Sequence, residues 1–211
     1  MPLFYSHTIN EHTRLAIWHI AEAEDFFLEK VPISREITHP HKRLQHLAGR
    51  YLLQHLFPDF PLHLIQIADT RKPYLANESH HFSISHCSDY AAAIVSTSHR
   101  VGIDIEVPAP RIKKIQHKFL SDEEAGAMQA EGDAIEAINQ LTLAWSAKES
   151  IYKWFGFGEM DFKSHMHLHS FRPDGLHGTI NASISKMAPV PLDLQYRFFD
   201  SIVLSWLVTL R

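Results

Sequence analysis

This sequence has little cysteine, no long apolar run and no excess of positive charge. Cys87 is the only cysteine among 211 residues, so no intramolecular disulfide can form and a reducing compartment is expected. No apolar stretch approaches the ~20 residues that a membrane-spanning helix needs, and residues 1–4 lack the basic region and apolar run of a signal peptide. A formal charge of -4 argues against bulk nucleic-acid binding. We therefore expect a cytoplasmic protein that binds neither nucleic acid nor a membrane.

The composition and patterning are those of a globular protein of mixed secondary structure. With 45% hydrophobic and 21% charged residues, the chain is long enough for one sizeable domain or two small ones. Apolar residues at three- and four-residue spacing predict helices over 39–57 and 139–155. Alternation predicts short, antiparallel strands near 14–20, 82–85, 90–96, 101–107, 162–171, 178–185, 193–199 and 202–210. The fold class is therefore α+β.

The clearest boundary in the chain is at Pro108 and Pro110, which end the strand predicted over 101–107. Helices and strands are predicted on both sides of these prolines. We therefore predict two similar-sized α+β halves, residues 1–107 and residues 108–211.

Histidine is frequent, at 17 residues. The best cluster is His165, His167 and His169, which share one face if the segment is a strand, with Met166 and Leu168 on the other. Imidazoles from one strand rarely close a metal site without other ligands. A solvent-facing row on a half-buried strand is the favoured interpretation.

Two carboxylates alternate with apolar residues on the strand before the proline boundary. Asp104 and Glu106 are two residues apart, a step of ~6.5–7 Å that keeps both side chains on one face. Without a cation they would repel, and each would tend to hold a proton. Mg²⁺ prefers carboxylate oxygens and usually takes one or two protein acids plus substrate phosphates. The pattern suits a magnesium site, although it is also typical of an exposed strand whose acids aid solubility.

A third carboxylate stands between two lysines on the predicted helix 139–155. Trp145, Glu149 and Lys153 are four residues apart and share one face, while Lys148 is offset by ~100°. An exposed Glu–Lys pair at this spacing contributes only a few tenths of a kcal/mol. Trp145 and Trp154, however, indicate a helix packed on several sides, where a glutamate is not simply solvated surface. Three acids and two lysines suit the binding of Mg²⁺ against a phosphate.

The two motifs, in this order and at this spacing, resemble the signature of the 4′-phosphopantetheinyl transferases. The first is VGIDIE at 101–106 and the second is WSAKESIYK at 145–153. Three weaker segments follow the family's order: LAGRYLL at 47–53, RKPYL at 71–75 with Arg71 in place of glycine, and FSISHC at 82–87 with Ser83 and Cys87 as departures. The similarity is to the larger monomeric group typified by the surfactin-synthetase activator, not to the small trimeric holo-acyl-carrier-protein synthases.

The resemblance implies an activity and a fold. Such enzymes transfer the 4′-phosphopantetheine arm of coenzyme A to a serine of an apo acyl or peptidyl carrier protein and release 3′,5′-ADP. They use Mg²⁺, with Mn²⁺ as an alternative. The implied fold is a pseudo-twofold monomer of two similar α+β halves with the active site in the cleft between them, which agrees with the boundary at the prolines.

The resemblance also implies a role for individual residues. The acids that match the metal-binding positions are Asp104, Glu106 and Glu149. The residues that match coenzyme A-binding positions are Arg50, Lys72, Ser85, His86, Lys148 and Lys153, and Arg35 is a looser match near the 3′-phosphate.

The residues also support a mechanism. The metal would neutralise charge on the leaving oxygen, and Lys153, with His86 if protonated, would add positive charge around it. The serine hydroxyl must lose a proton as it attacks phosphorus. Glu149 is the first choice of base, directly or through a water, and a metal-bound water is the alternative.

Two other functions and one partner surface stay open. A non-catalytic relative that binds coenzyme A or carrier proteins need not keep these acids and lysines, and a magnesium-dependent phosphohydrolase would need no acceptor protein. Carrier proteins are typically acidic, so the basic residues Arg111, Lys113, Lys114 and Lys118 are either a docking stripe or a solvated basic loop.

Overall fold

The computed structural model describes residues 2–32, 36–128, 133–169, 171, 173–186 and 188–210. Helices and antiparallel sheets are both present, so the predicted α+β class is confirmed. The chain divides into two compact units, an N-terminal unit (Met1–Ile103 with Leu210–Arg211) and a C-terminal unit (Asp104–Thr209). The domain halves 1–107 and 108–211, and the cleft between them, stay predictions.

The N-terminal unit is an antiparallel sheet with one long helix on it. Its strands and helices are β1 (Leu3–Asn10), β2 (Thr13–His19), α1 (Glu24–Leu28), α2 (Pro40–Leu56), β3 (Ile65–Ile67), β4 (Pro73–Leu75), β5 (His81–Cys87), β6 (Tyr90–Ser96) and β7 (Arg100–Glu106). The four-stranded sheet has the order β1-β2-β6-β5, and β3 pairs with β4. The final residues of β7, from Asp104, belong to the C-terminal unit.

Helix α2 is positioned by its ends and by its apolar face. It begins at Pro40, whose fixed φ and missing N–H suit the first turn, and the side chain of His39 caps Lys42 N–H. Leu47, Ala48, Leu52 and Leu53 are fully buried, and the helix packs on β2, β5 and β6. At Gly49 the backbone comes so close to the sheet that an added Cβ would lie 2.6 Å from Cγ2 of Ile84.

The C-terminal unit is a second antiparallel sheet covered by a longer helix. After β7 its elements are α3 (Ile112–Ile115), α4 (Asp122–Met128), α5 (Ala134–Phe155), β8 (Met166–His169), β9 (His177–Ile184), β10 (Val190–Phe198) and β11 (Val203–Thr209). The sheet order is β7-β11-β10-β9-β8. In β10 and β9, Leu192 lies opposite Ala182 and Leu194 opposite Ile180, and all four side chains enter the core.

Helix α5 carries one of the two signature motifs and is buried along most of its length. Asp133 accepts hydrogen bonds from the N–H groups of Ile135 and Glu136 and so caps its start. Gly156 ends it in the left-handed conformation, with φ 74°. The helix packs on β8, β10 and β11. Aromatic and aliphatic side chains on several faces are buried, which confirms that the helix is packed on several sides.

A polar contact also joins α5 to β11. Ser146, Ser150 and Ser205 are fully buried, and the hydroxyl oxygen of Ser205 lies 2.9 Å from that of Ser146 and 2.8 Å from that of Ser150. Ser150 Oγ also donates to the carbonyl of Ser205 at 3.0 Å. Because buried hydroxyls are costly unless bonded, this trio fixes the helix against the strand.

The structure differs from the predicted elements in several places, and the short elements α1, β3, β4 and α3 were not predicted. Strand β1 was not predicted, because none of its side chains is buried and they give no apolar alternation. Helix α5 begins before residue 139, with a first turn whose residues 134–136 are exposed. Strand β8 covers only Met166–His169 of the predicted 162–171. Among the described residues, no helix is long and apolar enough to span a bilayer.

Two glycine substitutions test the packing of α2 on its sheet. Gly49→Ala should lower the free energy of unfolding by about 1–3 kcal/mol, because Ile84 is β-branched and has few rotamers into which to retreat. Gly126→Ala in α4 is the matched control: no atom lies within 4 Å of its added Cβ, and the change should stabilise by about 0.5–1 kcal/mol. Urea unfolding measures both, and a Gly49→Ala protein as stable as wild type would show that the approach is looser than described.

Candidate active site

The two acids of the first motif lie at the end of β7, and both are withdrawn from solvent. Asp104 is 3% exposed and Glu106 is half-buried. Trp145 of α5 donates from Nε1 to Oε1 of Glu106 at 3.0 Å. The acids are therefore not the solvated strand face that was the alternative interpretation.

Lys153, one turn of α5 after Glu149, reaches the same place. Its Nζ donates to Oδ1 of Asp104 at 2.6 Å, and its side chain is 24% exposed. The bond joins the last residue of the second motif to the central acid of the first. A buried carboxylate needs such a partner, since an unpaired buried charge is strongly destabilising.

Glu149 belongs to the same electrostatic cluster. Burial, followed by the charge of Asp104, raises its pKa to about 7; Lys153 lowers the pKa and Glu106 raises it further. The pKa of Glu106 is also raised, first by burial and then by Asp104, while the Trp145 hydrogen bond, Lys153 and Arg111 oppose the rise. The three acids and Lys153, henceforth the carboxylate cluster, thus influence one another directly.

The donor chemistry of the carboxylate cluster fits a hard divalent cation. Carboxylate oxygens are the ligands Mg²⁺ prefers, and a cation would relieve the repulsion that raises the pKa values of Glu106 and Glu149. No group of three or more His, Cys, Asp or Glu within the described ranges is arranged to hold a metal ion, and the cation on Asp104 is the Lys153 ammonium. Joint ligation by Asp104, Glu106 and Glu149 stays a prediction.

Lys148 is oriented away from these acids and into the interior. It has no exposed surface, and its Nζ donates to Glu124 Oε2 at 2.7 Å, to the carbonyl of Phe119 at 2.7 Å and to the carbonyl of Phe162 at 2.9 Å. Burial lowers its pKa, an effect opposed by Glu124. Its predicted contact with coenzyme A stays a prediction that this geometry disfavours, because all three ammonium protons are already donated.

The other predicted coenzyme A residues belong to the N-terminal unit. Arg50 on α2 donates from Nη1 to Nδ1 of His46 at 3.0 Å. On β5, Ser85 is buried opposite Ala92, and His86 is exposed. Lys72 precedes β4, and burial together with the charge of Arg100 lowers its pKa to about 8. Arg35 lies outside the described residues. The coenzyme-binding roles of these side chains stay predictions.

The histidine row is engaged with serine hydroxyls. Nε2 of His167 lies 3.0 Å from Ser185 Oγ, and Nε2 of His169 lies 2.8 Å from Ser183 Oγ. Met166 and Leu168 between them are buried. The predicted alternation of β8, with apolar residues inward and histidines outward, is confirmed.

A small pocket opens beside Glu106. Its volume is ≈ 230 Å³, and its apolar lining includes Ile112 and Ile115 of α3 together with Trp145 of α5. The basic residues of this region, Arg111, Lys113, Lys114 and Lys118, are exposed. A largely apolar recess, with Arg111 in its lining, is thus available next to one acid of the carboxylate cluster.

Sequence reasoning missed two residues that support the site. Trp145 was identified only as a sign of helix burial, but its indole N–H holds Glu106. Glu124 was assigned no role in the site. The sequence does show the Ser-x-x-Glu spacing of a capping box at Ser121 and Glu124, and Ser121 N–H donates to Glu124 Oε2 at 2.8 Å. No pattern in the sequence indicates that Glu124 is buried against Lys148.

The C-terminal part of the chain matches a known family. Residues 100–196 match the family model described as the 4′-phosphopantetheinyl transferase superfamily. The matched segment contains Asp104, Glu106, Glu149, Lys153 and the buried Lys148, whereas the predicted coenzyme-binding residues of the N-terminal unit precede it.

Curated phosphopantetheinyl transferases and related synthase components are similar to the chain over about half its length. Enterobactin synthase component D of Salmonella typhi is 34% identical over 117 residues, which are 54% of this chain and 48% of that protein. The 4′-phosphopantetheinyl transferase AcpT of Escherichia coli O157:H7 is 35% identical over 120 residues, which are 54% of this chain and 59% of that protein. The chain therefore spans about half the length of the curated relatives it matches.

The burial of Lys72 predicts a pH-dependent stability. Its folded-state pKa of about 8 lies below its ordinary value of 10.5, so the unfolded chain binds more protons between these pH values. Stability must then rise with pH across this window. Chemical unfolding at pH 7 to 10.5 should show wild type gaining stability relative to Lys72→Met above pH 8. A difference between the two proteins that does not change with pH would mean that Lys72 is well solvated.

Proposed function

We propose that the protein is a Mg²⁺-dependent 4′-phosphopantetheinyl transferase of the larger monomeric group. It would transfer the phosphopantetheine arm of coenzyme A to a serine of an apo acyl or peptidyl carrier protein and release 3′,5′-ADP. The superfamily match of residues 100–196 and the names of the relatives support this proposal.

The observation that carries the proposal is the carboxylate cluster. Three acids and one lysine from the two signature motifs are electrostatically coupled within the C-terminal unit. Withdrawing these charges from water costs free energy, which a site with no chemical role would not need. Coupled acids with raised pKa values next to a lysine are characteristic of phosphoryl-transfer chemistry, where positioning and charge supply most of the catalysis.

Asp104, Glu106 and Glu149 would hold the metal. When bound, Mg²⁺ supplies positive charge to the coenzyme pyrophosphate and to the leaving oxygen. Lys153 donates a hydrogen bond to Asp104, so its ammonium would add positive charge next to the metal-binding acids. Arg50, Lys72, Ser85 and His86 are proposed to contact the coenzyme from the N-terminal unit.

The transfer step needs a base. The serine Oγ forms a bond to the phosphorus that carries the pantetheine arm, the bond from that phosphorus to the bridging oxygen breaks, and 3′,5′-ADP leaves. Glu149, directly or through a water, is the proposed acceptor of the serine proton, because it is the acid that the second motif contributes to the carboxylate cluster.

The carrier protein is proposed to dock beside Glu106. The exposed Arg111, Lys113, Lys114 and Lys118 are complementary to the acidic surface typical of such carriers. The neighbouring apolar pocket, lined by Ile112, Ile115 and Trp145, gives an uncharged group of a partner or substrate a place to enter.

One assay separates this function from its alternatives. The protein is incubated with coenzyme A and Mg²⁺, with and without an apo acyl carrier protein, and both the carrier mass and free phosphopantetheine are measured by mass spectrometry. A transferase adds one phosphopantetheine to the carrier and releases 3′,5′-ADP. A phosphohydrolase releases phosphopantetheine without the carrier, and a binding protein does neither, so either of these results would overturn the proposal.

Asp104→Asn should abolish transfer. The amide keeps the shape of the side chain but removes the charge that Lys153 and a divalent cation would share, and removal of a metal-binding acid should cost more than about 100-fold in kcat/KM. Asp193→Asn in β10 is the control, because this acid is exposed and accepts a hydrogen bond from Asn181 at 2.8 Å. Transfer by Asp104→Asn at the wild-type rate in saturating Mg²⁺ would remove Asp104 from the site.

Lys153→Met should lower kcat for transfer by about 100-fold or more, because the positive charge next to the developing anion is lost. Lys186→Met tests whether loss of any lysine in this unit has the same effect, since Lys186 pairs with the exposed Glu159 and with the carbonyl of Gly158. Initial rates with saturating coenzyme A and carrier measure both variants. Equal rates for the two variants would contradict the role of Lys153.

A further inference from the structure

We propose that Lys148 is a positioning residue that acts on Glu106 from the interior of the C-terminal unit, through Phe119, Phe162 and Trp145, and that it does not contact coenzyme A. This inference rests on the proposed function, because it concerns a proposed metal-binding acid. It assigns to the first lysine of the second motif a role that its sequence position does not suggest.

The first step is the anchoring of the ammonium. Lys148 has no exposed surface, and its three donated hydrogen bonds go to Glu124 and to the carbonyls of Phe119 and Phe162, at 2.7 to 2.9 Å. Glu124 is itself fixed, since Oε2 also accepts from Ser121 N–H at 2.8 Å and Oε1 accepts from Leu168 N–H at 2.9 Å. The lysine thus joins α5 to the start of α4, to the end of the segment before it, and to the segment before β8.

The second step is the packing of two phenylalanine rings on the indole of Trp145. The two residues whose carbonyls Lys148 holds are those whose rings pack on Trp145. The Phe162 ring stacks on the indole with ring centroids 5.4 Å apart, and the Phe119 ring meets it edge-on at 5.2 Å. Phe162 stacks also on Tyr152, at 5.7 Å. The hydrogen bonds from the Lys148 ammonium to the carbonyls of Phe119 and Phe162 therefore set the position of both rings that pack on Trp145.

The third step connects the indole to the carboxylate cluster. Trp145 Nε1 donates to Glu106 Oε1 at 3.0 Å. A hydrogen bond to a ligand from a residue behind it fixes the orientation of that ligand, and its loss typically costs 10- to 100-fold in metal affinity or activity. The order of contacts is Glu124, Lys148, the two phenylalanines, Trp145 and Glu106, and all of them lie in the C-terminal unit.

Two variants test the two ends of this series of contacts. Trp145→Phe keeps an aromatic ring between Phe119 and Phe162 but removes the N–H donor to Glu106. Lys148→Met with Glu124→Gln removes both buried charges together, so that no uncompensated charge is left. The amide at position 124 can still accept one backbone N–H and can donate to one of the freed carbonyls.

Mn²⁺ binding and coenzyme A binding are measured separately by calorimetry, the second in the presence of a chelator. We expect both variants to bind Mn²⁺ about tenfold more weakly than wild type, while their affinity for coenzyme A without metal stays within twofold. In transfer assays kcat should fall, and KM for coenzyme A should change little. Combining the two changes should weaken Mn²⁺ binding no more than the stronger of them alone, because they act on one path.

Ser146→Ala is the matched control for general loosening of α5. It removes a buried hydrogen bond from the same helix to β11, so the unfolding midpoint should fall while Mn²⁺ affinity stays at the wild-type level. Wild-type Mn²⁺ affinity in Trp145→Phe would overturn the inference, whatever the Lys148 variant does. So would a coenzyme A affinity that drops tenfold without metal in the Lys148 variant, since that result is expected of a direct contact.

The same experiments distinguish this inference from the proposed function. If wild type binds Mn²⁺ and both variants bind it weakly, but no carrier is modified, the transferase proposal fails and the positioning role stands. If wild type modifies the carrier and the variants bind Mn²⁺ as wild type does, the transferase stands and the positioning role fails.

Discussion

A lysine ammonium with no exposed surface needs an acceptor for each of its three protons, and the C-terminal unit is arranged to supply them to Lys148. One acceptor is the carboxylate of Glu124 and two are backbone carbonyls. Because leaving any of these groups unsatisfied would cost the full desolvation of a buried charge, α4, α5 and the segments around Phe119 and Phe162 have few alternative arrangements. The buried ion pair therefore joins α4, α5 and these two segments.

The carboxylate cluster depends on that arrangement and has the opposite electrostatic character. At Lys148 the charges are balanced and fully bonded, whereas at Asp104, Glu106 and Glu149 three acids have one nearby lysine, Lys153, among them. Burial first, and then the charge of Asp104, raise the pKa values of Glu106 and Glu149. A protein gains no stability from such a cluster, which is why we propose that these acids serve the chemistry of the site.

Sequence patterns were sufficient wherever burial made the pattern regular. Helix α2 and strand β6 agree with the predicted 39–57 and 90–96 closely, since their apolar residues face a core at the helix or strand period. The predictions failed where side chains are exposed and the backbone alone forms the element. Strand β1 is specified mainly by its ladder with β2, and the first turn of α5 mainly by its Asp133 cap. Pairing of this kind leaves little trace in hydrophobicity.

The sequence by itself determined the chemistry of this protein: which acids and lysines are present, their spacing on a strand and a helix, and the family that this spacing resembles. Only the tertiary structure decided what each of those groups contacts. Lys148 and Lys153 differ by five positions on one helix, yet one bonds Glu124 in the interior and the other bonds Asp104 at the carboxylate cluster. The physical reason is that residue type and periodicity set what a side chain can bond, while the partner depends on long-range packing, which neighbouring residues in the chain do not encode.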